Sequence, residues 1–411
     1  MSTPQGFGPG GPFEGGPFAE LMRSIAHIFA NQGPLNWEIA KQMADWAAND
    51  GQPEANPDPV WRVRLEELLR VAEMHVAEAT GLAWPSEGLT TVASITRVEW
   101  ARRTLDDWKD HFETLASRIA SPADQTGESP IAPGQFPWLA QGQEPGGDPL
   151  ASLFSGIPQI LGPFLLGLQA GSMVGQLAKT AMGQFDPLMP RPFRTEIAVV
   201  TSTVQQFASE WSLPEDDVRM WICLNETFHR AVLGQQFVSD RLNFLVEAYV
   251  GAFSARTDPI EARLAGVDLS DMASMQEAFG DPSTLLAEMQ NDAQRSLQAQ
   301  LRAILCAITG YIDFQLDSVG RRLVGSYPAM AEALRRRRLE DTRGSTMLAQ
   351  LFGISMSQED YEAGRSFVHG VAERAGEPAL ARLWSSERHL PTPAELSAPG
   401  LWLARIDLPG E

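Results

Sequence analysis

The sequence predicts an all-α or mostly α protein. Apolar residues recur at three- and four-residue spacing along most of the chain, period-2 alternation is almost absent, and Pro/Gly-rich breaks cut the periodic stretches into helix-sized pieces. No unit of about 20–50 residues repeats, which argues against a solenoid.

Taken in order, residues 1–18 are rich in Gly and Pro with interspersed Phe, and read as a disordered tail. Residues 19–120 form an N-terminal helical region. It contains FAELMRSIAHIFA, NWEIAKQMADWAA, VWRVRLEELLRVAEMHVAEAT and TRVEWARRTLDDWKDHFETLASRIA, the last with mixed charges on its outer face. Residues 121–149 are a Pro/Gly-rich linker and the best domain boundary, and residues 150–411 form a second helical domain. Within it, residues 149–178 carry no charge. The stretch is long enough to span a bilayer. Pro158 and Pro163 interrupt it, glutamines are spread along it, and Gly167, Gly171 and Gly175 repeat every four residues on one face. Such a face lets two helix backbones approach closely. The favoured reading is a buried core helix, with a membrane-associated protein anchored through 153–178 as the alternative. MGQFDPLMPRP reads as loop, and IAVVTSTVQQF as a short strand start continuing into helix. Helices follow near 213–233, 236–254 and 284–323, then shorter ones to the C-terminus.

Composition narrows the function. The formal net charge is −20, which argues against nucleic acid and anionic lipid as partners. Two cysteines, Cys223 and Cys306, cannot build a disulfide framework or a Cys-only zinc site. They suit a reducing compartment, and the N-terminus shows no basic and apolar leader pattern, so the expected location is cytoplasmic. No glycine-rich phosphate loop or G-x-S-x-G motif is present.

The informative segment is 212–234, SLPEDDVRMWICLNETFHRAVLG. Ser212 and Glu215 match a capping box, the acidic run Glu215–Asp217 suits a first helical turn, and Gly234 suits the stop. On this helix Val218, Trp221, Ile222, Asn225, His229 and Val232 share one stripe. Two polar residues four apart on an apolar face have the spacing by which H-E-x-x-H presents two imidazoles to one zinc. Here the string is Asn225-Glu226-Thr227-Phe228-His229, with Asn at the first His position. From spacing alone, the favoured reading is a buried His229 hydrogen-bonded to Asn225 or to a neighbouring backbone carbonyl.

Several blocks in one order make the chain resemble a known family. They are GFGPGG, GPLNWEIAKQMA, GSMVGQLA, the helix beginning SLPEDDVRMW, ITGYIDFQLD, AEALRRRR and LPTPAEL. The chain resembles the actinobacterial zincin-like metallopeptidase family, whose members are labelled zinc-dependent metalloproteases or deazaflavin-cofactor-biosynthesis-associated hydrolases. The resemblance implies a multi-helix zincin-like scaffold over essentially the whole chain. It also implies a zinc held by the two His of H-E-x-x-H and by the Glu of a downstream Glu-Gly pair, with the motif Glu as general base. Carried over, the general base is Glu226 and one ligand is His229, while Asn225 and Thr309 stand at the other two ligand positions.

A neutral amide and a hydroxyl are poor zinc ligands, and catalytic zinc usually keeps three protein ligands. The expectation is therefore a degenerate member, a pseudoenzyme without cofactor, that binds an unidentified protein or peptide in the former active-site cleft. The alternative is an active zinc-dependent hydrolase with substitute ligands. Glu247, 18 residues after His229, and Cys306 and Asp313, on the helix of Thr309, are the candidates. Without metal, Glu226 has no activated water to work with. Arg335–Arg338 reads as a solvated run paired with this chain's carboxylates.

Overall fold

The structure is a computed structural model that describes residues 34–82, 90–120, 149–252, 290–338 and 343–408. The Gly/Pro tail 1–18 and residues 121–148 of the linker lie outside the described residues.

Helix α1 (Trp37–Asn49) is capped by the Asn36 side chain, which accepts from the Ile39 N–H at 3.1 Å. Helix α2 (Pro59–Thr80) starts from an Asp58 cap with Pro at its first position, where a missing N–H costs nothing. Strand β1 (Thr91–Ile95), α3 (Arg97–Asp107) and α4 (Lys109–Ala120) complete the N-terminal part. Helix α5 runs Pro149–Ala178, continuous through both prolines. Strand β2 (Glu196–Val200) then leads directly into α6 (Thr201–Glu210), α7 (Glu215–Leu233) and α8 (Gln236–Gly251). Helix α9 (Asp292–Leu323) opens with a capping box of Asn291 and Gln294. Five helices follow: α10 (Tyr327–Arg338), α11 (Arg343–Phe352), α12 (Gln358–Ala375) and, beyond two short 3-10 turns, α13 (Pro393–Leu396) and α14 (Pro399–Asp407).

The two strands pair in parallel, from Thr91 opposite Glu196 to Ile95 opposite Val200. They form the one sheet among the described residues, so the fold is mostly α with a minor strand element. One hydrophobic cluster runs from Leu35 to Ile406 and takes in residues from both sides of the Pro/Gly-rich break.

Helix α5 packs along α1 through the glycine face read from the sequence. A Cβ at Gly167 would sit 2.5 Å from the Asn36 carbonyl oxygen, and one at Gly171 2.2 Å from that of Ala40. The facing residues Ala40, Ala44, Ala47 and Ala48 are small and buried, so the two backbones nearly touch. Among the described residues no helix is long and apolar enough to cross a membrane.

One sequence expectation is corrected here. Ser212 and Glu215 do not form a capping box, because α7 begins at Glu215 after Pro214, with no side-chain cap. Ser212 sits in the left-handed region at φ 51°, two residues before the Pro214 N-cap.

The segment between α5 and β2 is pinned by a buried cluster. Arg191 lies between the Trp100 and Trp108 rings, at 5.1 and 5.0 Å from their centroids. Its guanidinium donates to Asp107 at 3.1 Å and to the Thr104 hydroxyl at 3.0 Å. Arg194 donates to the same Asp107 at 2.8 Å. The buried carboxylate is thus paired twice, as a buried charge requires.

Candidate functional site

Helix α7 is buried on nearly every side, which makes its polar residues informative. Glu226 is fully buried on this helix. Its Oε2 accepts the backbone N–H groups of Gln184 at 2.9 Å and Phe185 at 3.3 Å, and its Oε1 accepts from the Asn225 side-chain amide at 3.2 Å. The loop that supplies those N–H groups is held by the sheet and by α3. Ala198 of β2 donates to the Gln184 side chain at 3.1 Å, and the Trp100 indole donates to the Gly183 carbonyl at 2.9 Å. Gly183 is required there, since a Cβ would lie 2.2 Å from the Glu226 carboxyl carbon.

Burial pushes the Glu226 carboxyl up to about 8, with the nearby Asp186 charge adding to the rise while its three N–H donors oppose it. His229, one turn further on, donates from Nδ1 to the Asn225 carbonyl at 2.8 Å, since a carbonyl can only accept. In the neutral ring this leaves Nε2 as the acceptor. The imidazole stacks on Phe185 with centroids 5.9 Å apart. Burial lowers its pKa to about 4, only partly offset by the Asn225 carbonyl.

These groups open onto a cavity of about 500 Å³, within the range of ordinary ligand pockets. Asn225, Glu226, His229 and Thr309 all line it. The structure therefore brings together the four positions that the motif and the resemblance singled out, from α7 and α9. It adds polar residues that the sequence reading did not place there, among them Asp186 from the 183–195 segment, Arg338 at the end of α10, and Tyr361 on α12. No spacing signal links these three to α7; only the tertiary fold does.

The substitute-ligand candidates are dispersed. Asp313 lies on α9 and receives two hydrogen bonds from Arg338, at 2.6 and 2.8 Å. Burial opposes the Arg338 charge, but Asp313 outweighs it and the guanidinium pKa is raised. Glu247 lies on α8, where its charge acts on the buried His111 of α4. Cys306 is buried with its backbone carbonyl against Gly364 of α12, and burial pushes its thiol up to about 12. None of Glu247, Cys306 and Asp313 lines the cavity. The arginine run divides: Arg335 and Arg336 pair outward with Glu332, Arg337 donates to the Thr180 carbonyl, and Arg338 turns inward.

The implied zinc can be tested against these donors. The Asn225 side-chain N–H donates to Glu226, its backbone carbonyl accepts from His229, and its side-chain oxygen is a neutral amide oxygen, a poor zinc ligand. The donors lining the cavity are the His229 imidazole, the Asp186 carboxylate, the Glu226 carboxyl already held by three N–H donors, the Asn225 amide and the Thr309 hydroxyl. Among the described residues no group of three or more His, Cys, Asp or Glu could hold a metal ion. The donor set does not fit a three-ligand zinc centre.

With this geometry in place, comparison with known proteins defines the class. The family model described as zincin-like metallopeptidase matches residues 35–403, and the chain belongs to that family. It is similar to a crystal structure from Chloroflexus aurantiacus, described as that of a provisionally assigned hydrolase with a novel fold. The TM-score is 0.60 at 19% identity, covering 92% of this chain and 100% of the other, which shows a shared fold. No curated protein matches the chain.

Proposed function

We propose that this member of the zincin-like metallopeptidase family has lost its zinc centre and uses the former active-site cavity to bind a ligand. The observation that carries the reading is the turn of Asn225. At the position where the family resemblance implies a zinc-binding His, a neutral side-chain amide stands instead and donates to Glu226, while the backbone carbonyl of the same residue accepts from His229. The motif residues are thus bonded to one another and leave a cavity of about 500 Å³ with a single imidazole acceptor. Thr309, at the implied Glu position, completes the wall without adding a carboxylate.

In this reading Glu226 is a structural carboxyl that ties α7 to the 183–185 backbone. A cytoplasmic location and a protein or peptide ligand are part of the proposal.

A peptidase assay with added zinc tests it. The wild type should show no zinc-dependent hydrolysis of a peptide library. The double variant Asn225→His/Thr309→Glu, which restores the implied ligands, should gain zinc binding. Zinc-dependent hydrolysis by the wild type, abolished in both His229→Ala and Glu226→Gln, would overturn the reading in favour of an active hydrolase.

A further inference from the structure

The cavity's polar groups are unequally occupied. Arg338 spends both terminal nitrogens on Asp313, and its guanidinium lies 5.1 Å from the Tyr361 ring centroid. Arg337 donates to the Thr180 carbonyl and lies 5.3 Å from the Phe207 ring centroid. Both guanidinium groups are thus held by the chain itself. Asp186 differs. Its one hydrogen bond is a long one, 3.3 Å from the Met182 backbone N–H to Oδ2. Among the described residues its carboxylate takes part in no ion pair: the nearby Arg338 guanidinium feels the Asp186 charge but pairs with Asp313.

The surroundings give that carboxylate a ligand class. Phe185, Leu188, Trp221 and Met356 make much of the wall apolar. A carboxylate beside apolar walls interacts strongly with an opposite charge, because little water screens it. Other groups on the wall able to accept from a donor include His229 Nε2, the Asn225 side-chain oxygen and the Thr309 hydroxyl. An incoming anion would meet Asp186 and would have to displace arginines already bonded. An incoming ammonium brings three donors to a site short of them.

Resting on the reading of the cavity as a binding site, we propose that it takes a ligand with an apolar body and one protonated amine, the ammonium seated on Asp186. The amine could belong to a free alkylamine or to the N-terminus of a peptide.

Calorimetry on the full-length protein tests this with five probes: n-hexylamine, hexanoate, 1-hexanol, leucyl-leucinamide and its N-acetylated form. The amine-bearing probes should bind at least about tenfold tighter than hexanol, hexanoate and the acetylated peptide, as expected for one charge-assisted contact. Comparison of hexylamine with leucyl-leucinamide tells a free amine from a peptide terminus. Asp186→Asn, which keeps an acceptor for the Met182 N–H, should lose that preference, and Asp186→Glu should retain it. Equal or tighter binding of hexanoate or the acetylated peptide overturns the proposal, as does an amine preference that survives Asp186→Asn with an unchanged melting temperature. Hexanol binding with no amine preference removes the ammonium assignment but leaves the cavity a binding site. No binding of any probe, with zinc-dependent hydrolysis by the wild type, removes both.

Discussion

Glu226 and His229 should leave opposite marks on the pH dependence of stability. The Glu226 carboxyl titrates near 8 in the folded protein against about 4.5 in the unfolded chain. Between those values the folded state holds a proton that the unfolded state has released, so stability falls as pH rises. His229 titrates near 4 folded against 6.5 unfolded, so its contribution is lost as pH falls from 6.5 towards 4. From pH 4.5 to 6.5 the two slopes cancel, and from 6.5 to 8 only the Glu226 term remains. At about 1.4 kcal/mol per pH unit, that interval carries a fall of about 2 kcal/mol. Glu226→Gln removes the titration. Urea unfolding of both proteins across pH 5–9 should show the wild type losing stability relative to the variant up to pH 8 and running parallel above it. A difference that does not change with pH would refute the reasoning, and with it the placement of Glu226 as a desolvated carboxyl.

Three further outcomes follow from the packing. Gly183→Ala pushes a methyl into the Glu226 carboxyl and should cost about 1–3 kcal/mol in chemical denaturation, with loss of the 183–185 cradle. Arg191→Met leaves the buried Asp107 with Arg194 alone and should destabilise by about 3 kcal/mol, read from the melting temperature. Gly171→Val sets side-chain atoms against the Ala40 carbonyl and should separate α1 from α5, at a cost of at least about 1–3 kcal/mol.

Much of this fold was legible because most of its elements are local. The spacing of Val218, Trp221, Ile222, Asn225 and His229 gave α7 and the shared face of its polar pair. The Gly167–Gly171–Gly175 repeat gave the close packing of α5, though not its partner, since nothing local in NWEIAKQMADWAA says which glycine face its alanines meet. The sheet was half visible: the β-branched IAVV suggested a strand, but β1 is five residues long and its partner lies across α3, α4 and α5. The capping-box reading of Ser212 failed because a matching residue pair does not fix the backbone, which turns left-handed at Ser212.

The candidate site divides in the same way. Residues of one helix face, Asn225, Glu226 and His229, could be read together, and the family resemblance added Thr309. Asp186 sits in DPLMPRP, which reads only as loop. What brings it to the cavity is the Arg191–Asp107 clamp and the Gly183–Trp100 bond, neither of which has a signature in sequence spacing. Arg338 was hidden inside a run of four arginines that looks uniformly solvated, although helical geometry turns its members in different directions. Cavity-facing residues of this kind become visible only when tertiary partners are known.

In the proposed reading Asn225 and Thr309 occupy two positions at which the family resemblance implies zinc ligands, and supply none. Metal content measured by mass spectrometry on tag-free protein, after chelation and zinc reconstitution, tests it most directly. The account predicts zinc at background level in the wild type and near one equivalent in Asn225→His/Thr309→Glu. Near-stoichiometric zinc in the wild type, lost again in His229→Ala, would contradict it.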